Sequence, residues 1–114
     1  MRAVHGLILL LAATAAAAQE RFPQRPVRVL VGLAPGSGSD VVARLIAPRL
    51  AEQWGQGVVI DNRSGAGGLL ASEMLARATP DGHTLIMVGL PTHAFQGAYY
   101  RKLPFDAVRD FAGV

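Results

Sequence analysis

The sequence predicts an α/β fold, a parallel sheet with helices on both faces, from three observations. Apolar runs of strand length alternate with stretches of helical spacing, in the order strand, helix, strand, helix, strand. The connections between them are short. The first two strands each run into a glycine-rich turn that opens a helix, a common junction in such folds.

Residues 1 to 18 are set aside first, because they read as a cleaved signal peptide. Arg2 supplies a positive start, Leu7 to Ala17 an apolar stretch, and Ala16-Ala17-Ala18 a small-residue cleavage site before Gln19. Gly6 to Ala18 is 13 residues, short of the ~20 that a membrane-spanning helix needs. The chain has no cysteine, which excludes a disulfide framework and a cysteine-linked lipid anchor. Residues 19–114 suffice for one small domain. The net charge of +3 is scattered, with no basic stripe interleaved with aromatics, so nucleic acid is not an expected partner.

Gln19 to Pro26 reads as an exposed lead-in. Val27 to Val31 is β-branched and almost continuously apolar, as a strand buried on both faces requires. From Asp40 to Trp54, the residues Val42, Leu45, Ile46, Leu50 and Trp54 recur at helical spacing, and Gly55 marks the stop. Pro48 removes one backbone donor inside that helix and is expected to bend it. Val58 to Ile60 is a second strand, followed by the turn Asp61 to Gly68. A second helix, Leu69 to Ala78, is expected to bury Leu70, Met74, Leu75 and Ala78 and to pair Glu73 with Arg77. Pro80-Asp81-Gly82 is a turn signal before a third strand, Thr84 to Val88. A short helix near Ala94 to Tyr99, a loop at Leu103 to Asp106 and an apolar ending complete the chain.

If the strand order is 2-1-3, right-handed crossovers put the two helices on opposite faces and leave a switch point between strands one and three. The loops lining it are Leu33 to Ser39 and Gly89 to His93, with Arg63 to Gly68 close by. The groups on offer are the backbone N–H groups of Gly36, Ser37, Gly38 and Ser39, the hydroxyls of Ser37, Ser39 and Thr92, and the His93 imidazole. Ser39 or Asp40 is the expected N-cap. Such donors at the positive end of a helix suit a carboxylate or a phosphate, although a tight turn with a cap explains the same residues.

Other chemistries fit less well. Ser37, His93 and Asp40 can be drawn as a hydrolytic triad, but the turn is not a Gly-x-Ser-x-Gly elbow. Gly36-x-Gly38 continues to Val41 where a dinucleotide fingerprint needs glycine, and no Gly-Lys-Ser/Thr occurs. His83 and His93 lack ligand-spaced partners, so neither a metal nor another cofactor is expected. His83 reads as a surface residue, and Arg63 as a partner of Asp61 or an anion contact. Trp54, Tyr99 and Tyr100 read as packing residues at helix ends.

Taken in order, Ala-Pro-Gly-Ser-Gly-Ser-Asp (34–40), Asp-Asn-Arg-Ser-Gly-Ala-Gly-Gly (61–68), Pro-Asp-Gly-His-Thr-Leu (80–85), Thr92-His93 and Lys-Leu-Pro-Phe-Asp (102–106) closely resemble the Bug family. These are the extracytoplasmic substrate-binding proteins of tripartite tricarboxylate transporters. The resemblance implies a two-lobed periplasmic binding protein fold of type II that closes over a small carboxylate. It also implies periplasmic localisation, membrane components of the transporter as partners, and a monomer at full length. Position by position, Gly36, Ser37, Gly38, Ser39, Thr92 and His93 correspond to the first-lobe part of the ligand site. Gly65, Ala66, Gly67 and Gly68 correspond to a supporting second turn. Ser37 stands where the family usually has glycine, adding a hydroxyl at the carboxylate site. The family's proteins are much longer, so residues 19–114 are expected to be the N-terminal part of lobe 1 of a truncated chain. A secreted hydrolase using Ser37 and His93, or a non-functional truncated product, remain the alternatives.

Overall fold

The computed structural model describes residues 21–89 and 93–114; residues 1–20, with the expected signal peptide, and Leu90, Pro91 and the proposed site residue Thr92 lie outside the described residues. Three parallel strands, β1 (Val27–Val31), β2 (Val58–Asn62) and β3 (Thr84–Met87), pair in the order β2-β1-β3. Val27 pairs with Val58 and Val31 with Asn62 on one side, Arg28 with Thr84 and Val31 with Met87 on the other. β1 is central because its apolar run tolerates neighbours on both edges and cover on both faces. Val27, Leu30 and Val31 are at most 1% exposed, and each such burial contributes about 1.5–3 kcal/mol.

Helix α1 (Gly38–Trp54) joins β1 to β2, starting two residues before the predicted Asp40. Its N-cap is Ser37, in place of the expected Ser39 or Asp40. The extended backbone of Ser37 (φ −67°, ψ 161°) lets its hydroxyl face the N–H of Asp40, a geometry closed to residues already in the helix. Gly55, left-handed at φ 65°, ends α1 by donating its N–H to Ala51 O. Pro48 lies within the helix as predicted.

The buried face of α1 differs from the predicted one. Asp40, Ala43 and Ala47 turn inward, whereas Val42, Leu45 and Ile46 are exposed and Leu50 and Trp54 half-buried. The two stripes are offset by about one residue, near 100° around the axis. Asp40 is tied to groups beneath the helix, and small alanines let the helix approach the sheet, so those contacts set its rotation.

After β2 the chain makes a short 3₁₀ turn, Ala66–Gly68, and continues as α2 (Leu69–Ala76), which leads to β3. α2 ends two residues before the predicted Ala78. It buries Ala71 and Ser72, leaves Leu70 exposed, and half-buries Met74 and Leu75; Ala78, half-buried too, lies beyond its end. Glu73 and Arg77 pair at 2.6 Å, as their spacing requires. β3 ends one residue before the predicted Val88, and a four-residue helix, α3 (Gln96–Tyr99), follows.

The described part of the lead-in is exposed as expected apart from Pro23, yet it is anchored to the sheet end. Pro23 is buried, the Phe22 ring lies edge-on to His83 (4.9 Å) and Trp54 (6.4 Å), and Arg25 pairs with Asp81 at 2.7 Å. His83 is consequently not a surface residue, its side chain being only 11% exposed. No helix among the described residues is long and apolar enough to cross a membrane.

Candidate functional site

The crossovers leaving β1 and β2 run in opposite directions, so the switch point falls between β1 and β3, as the order predicted. There the chain turns at Gly36, whose φ of +86° an L-residue adopts only with strain. The turn spends part of its own donor capacity. Gly36 N–H donates to Asp40 Oδ2 at 2.9 Å, and Ser37 N–H donates to Ala34 O at 3.1 Å. The Ser37 hydroxyl accepts the Asp40 N–H at 3.4 Å, so it serves the helix first. Of the four predicted N–H donors, Gly38 and Ser39 are the two with no acceptor among the described residues. Gly38 is exposed and Ser39 half-buried.

Asp40 is the buried anion of the site, 2% exposed. Arg44 Nε donates to both of its oxygens at 3.0 Å, and Asn62 Nδ2 donates to Oδ1 at 2.9 Å. The Arg44 bond, then the Gly36 N–H and the Asn62 amide, hold its carboxyl down to about 2 against an ordinary 3.8. Asn62 Nδ2 also donates to Leu33 O at 3.1 Å, and Arg44 Nη2 donates to Asn62 Oδ1 at 3.0 Å. Loop, helix and strand end are thereby joined at one amide.

The second turn backs the first. A Cβ on Gly32 would lie 2.8 Å from Gly68 Cα and 3.5 Å from Ala71 Cβ, so the two turns touch backbone to backbone. Gly65, Ala66 and Gly67 are exposed, Gly68 is buried, and Ala66 takes a left-handed φ of 47°. The Tyr100 hydroxyl donates to Ala66 O at 3.1 Å, tying α3 to this turn. Tyr99, by contrast, is 80% exposed and is not a packing residue. Arg63 pairs with Asp61 at 3.0 Å, and Arg28 Nε reaches the same carboxylate at 2.7 Å. Those two arginines, Arg28 foremost, lower the Asp61 pKa.

His93 Nε2 lies 3.1 Å from Ala107 O, and its ring stands edge-on to Phe111 at 4.8 Å. A carbonyl only accepts, so Nε2 carries the proton and the buried Nδ1 of a neutral ring is an acceptor. No hydrogen bond joins Ser37, His93 and Asp40 as a triad; the Ser37 hydroxyl and the Asp40 carboxylate are engaged with the turn and its clamp. Among the described residues no three of His, Cys, Asp and Glu gather as metal ligands would. Sequence reasoning missed Asn62, Arg44 and Gly32. The i,i+4 spacing of Asp40 and Arg44 was the available signal for one pair; the other contacts bridge distant segments.

A parallel sheet with helix N-termini gathered at its switch point is the framework of the periplasmic binding proteins, and solved structures of that class match it. The chain is similar to MatC from Rhodopseudomonas palustris with bound malate, at TM-score 0.73 and 48% identity over 79% of this chain and 31% of MatC. It is also similar to R. palustris Rpa4515 with adipate, at TM-score 0.65 and 37% identity over 75% of this chain and 29% of the other. Residues 42–114 match the tripartite tricarboxylate transporter family receptor, and the chain belongs to that family. BugT of Bordetella pertussis is 38% identical over 98% of this chain and 35% of its own length. The chain spans about a third of the length of the curated relatives it matches.

Proposed function

We propose that residues 19–114 form the N-terminal part of the first lobe of an extracytoplasmic solute-binding protein, exported through the cleaved segment 1–18. The protein binds a small carboxylate and delivers it to the membrane components of a tripartite tricarboxylate-type transporter, without chemistry on the ligand. The observation that carries this reading is the pair of unspent N–H groups, Gly38 and Ser39, opening a 17-residue helix at the switch point. Aligned peptide dipoles give such a terminus about half a positive charge, and charge-assisted bonds to a carboxylate are short and strong. His93 follows β3 in the chain and bonds Ala107 O, and the turn Gly65 to Gly68 supports the first turn through the close approach of Gly68 to Gly32. Malate and adipate in the similar structures support the ligand class.

Calorimetric titration of the full gene product with malate, adipate and their dimethyl esters tests this. The acids bind and the esters do not, because esterification removes the charge that the N–H groups recognise. Equal binding of acid and ester refutes the reading, and turnover of the esters refutes its non-enzymatic part.

A further inference from the structure

We propose that Asn62 is a positioning residue of the ligand-holding turn, fixing the direction in which Gly38 and Ser39 present their N–H groups without touching the ligand itself. The inference rests on the carboxylate-binding reading above and adds to it the element that shapes the site.

Asn62 is the last residue of β2, in register with Val31 at the end of β1. Its side chain makes three bonds to segments 18 to 29 residues away: to Leu33 O, to the Asp40 carboxylate and from Arg44. These span the β1–α1 loop and the first two turns of α1, the stretch in which Gly36 to Ser39 lie. The amide is matched to this place. It has two N–H donors for the two oxygens and one carbonyl for the guanidinium. Aspartate would face the Asp40 carboxylate with another acceptor, and serine is too short to bridge all three.

A second observation shows that this clamp acts on the helix as a whole. α1 turns Asp40, Ala43 and Ala47 inward and leaves Leu45 70% and Ile46 42% exposed. Burial of large apolar side chains favours the other rotation. The bonds converging on Asp40 favour the observed one, and the rotation of α1 decides where its first N–H groups point. Arg44 balances the Asp40 charge within the same cluster, which an incoming carboxylate would otherwise meet unscreened.

The test uses the full gene product with Asn62→Ala, Asn62→Asp and, as a control, Val29→Ala, a truncation in the buried centre of β1. Malate and its dimethyl ester are titrated calorimetrically well below each variant's unfolding temperature. Amide exchange at Gly36 reports the turn directly. Both Asn62 variants raise the dissociation constant for malate about tenfold or more, the effect of one bond to a charged group, and speed exchange at Gly36. Val29→Ala, though less stable, keeps the wild-type constant within about twofold. Unchanged malate affinity in Asn62→Ala overturns the inference alone, as does an equal loss in Val29→Ala, which makes the effect one of stability. A wild type that does not prefer malate to its ester overturns the carboxylate reading, and the inference with it.

Discussion

Replacing Gly32 with alanine probes the contact on which the two glycine-rich turns lean. The new methyl carbon would sit 2.8 Å from Gly68 Cα, 3.4 Å from Gly68 O and 3.5 Å from Ala71 Cβ. Non-bonded carbons settle at about 3.5–4.0 Å, so the second turn has to retreat by roughly 0.7 Å or more. The obstruction is backbone, at a buried glycine with φ +89°, and no rotamer change relieves it. Overpacking of this kind costs about 1–3 kcal/mol. At roughly 4–8 °C per kcal/mol for a domain of this size, Tm falls by about 4–24 °C. Thermal unfolding followed by circular dichroism, with urea midpoints alongside, measures it. Gly57→Ala is the matched control, because its Cβ meets only Pro26 at 3.8 Å, ordinary contact. A Gly32→Ala protein as stable as Gly57→Ala would refute the argument that the turns bear on each other.

Other outcomes follow from the same contacts. Asp40 has a depressed folded pKa, so its contribution to stability is complete above its ordinary 3.8 and is lost as pH falls toward about 2. Acid titration of stability shows wild type losing more than Asp40→Asn across that window, and parallel curves would contradict it. Ser37→Ala removes an N-cap whose bond is long at 3.4 Å, so urea unfolding should register a loss near the low end of the range for caps, about 0.5–1 kcal/mol. Ala66→Gly relieves a left-handed φ of 47° and raises stability by up to about 1 kcal/mol, the strain relieved less the entropy glycine adds to the unfolded chain. A destabilised Ala66→Gly would mean that the strain is not there.

The strands and helices were legible because local pattern decides them. Val27 to Val31 has only one comfortable place, the middle of a parallel sheet, and Gly55 stops α1 by its own conformation. Helix rotation was not legible. The stripe Val42, Leu45 and Ile46 dominates the sequence, but the carboxylate of Asp40 is held from beneath by groups that sequence spacing does not connect to it. The candidate turn was found from its glycines, while its donor count was too high. That Gly36 spends its N–H on Asp40, and Ser37 its N–H on Ala34, depends on backbone angles that composition does not encode. Asn62 was invisible as a clamp for the same reason, its partners being 18 to 29 residues away. His83 was misplaced because the lead-in brings Phe22 over it.

The central claim is that a ligand carboxylate is held by the first N–H groups of α1, and amide chemical shifts read those groups directly. In a ¹⁵N-labelled full gene product titrated with malate, the Gly38 and Ser39 amide protons should move downfield and saturate at the calorimetric dissociation constant. The Gly36 amide, already bonded to Asp40, should move little. Saturable malate binding that leaves Gly38 and Ser39 unmoved would contradict the account and place the carboxylate elsewhere.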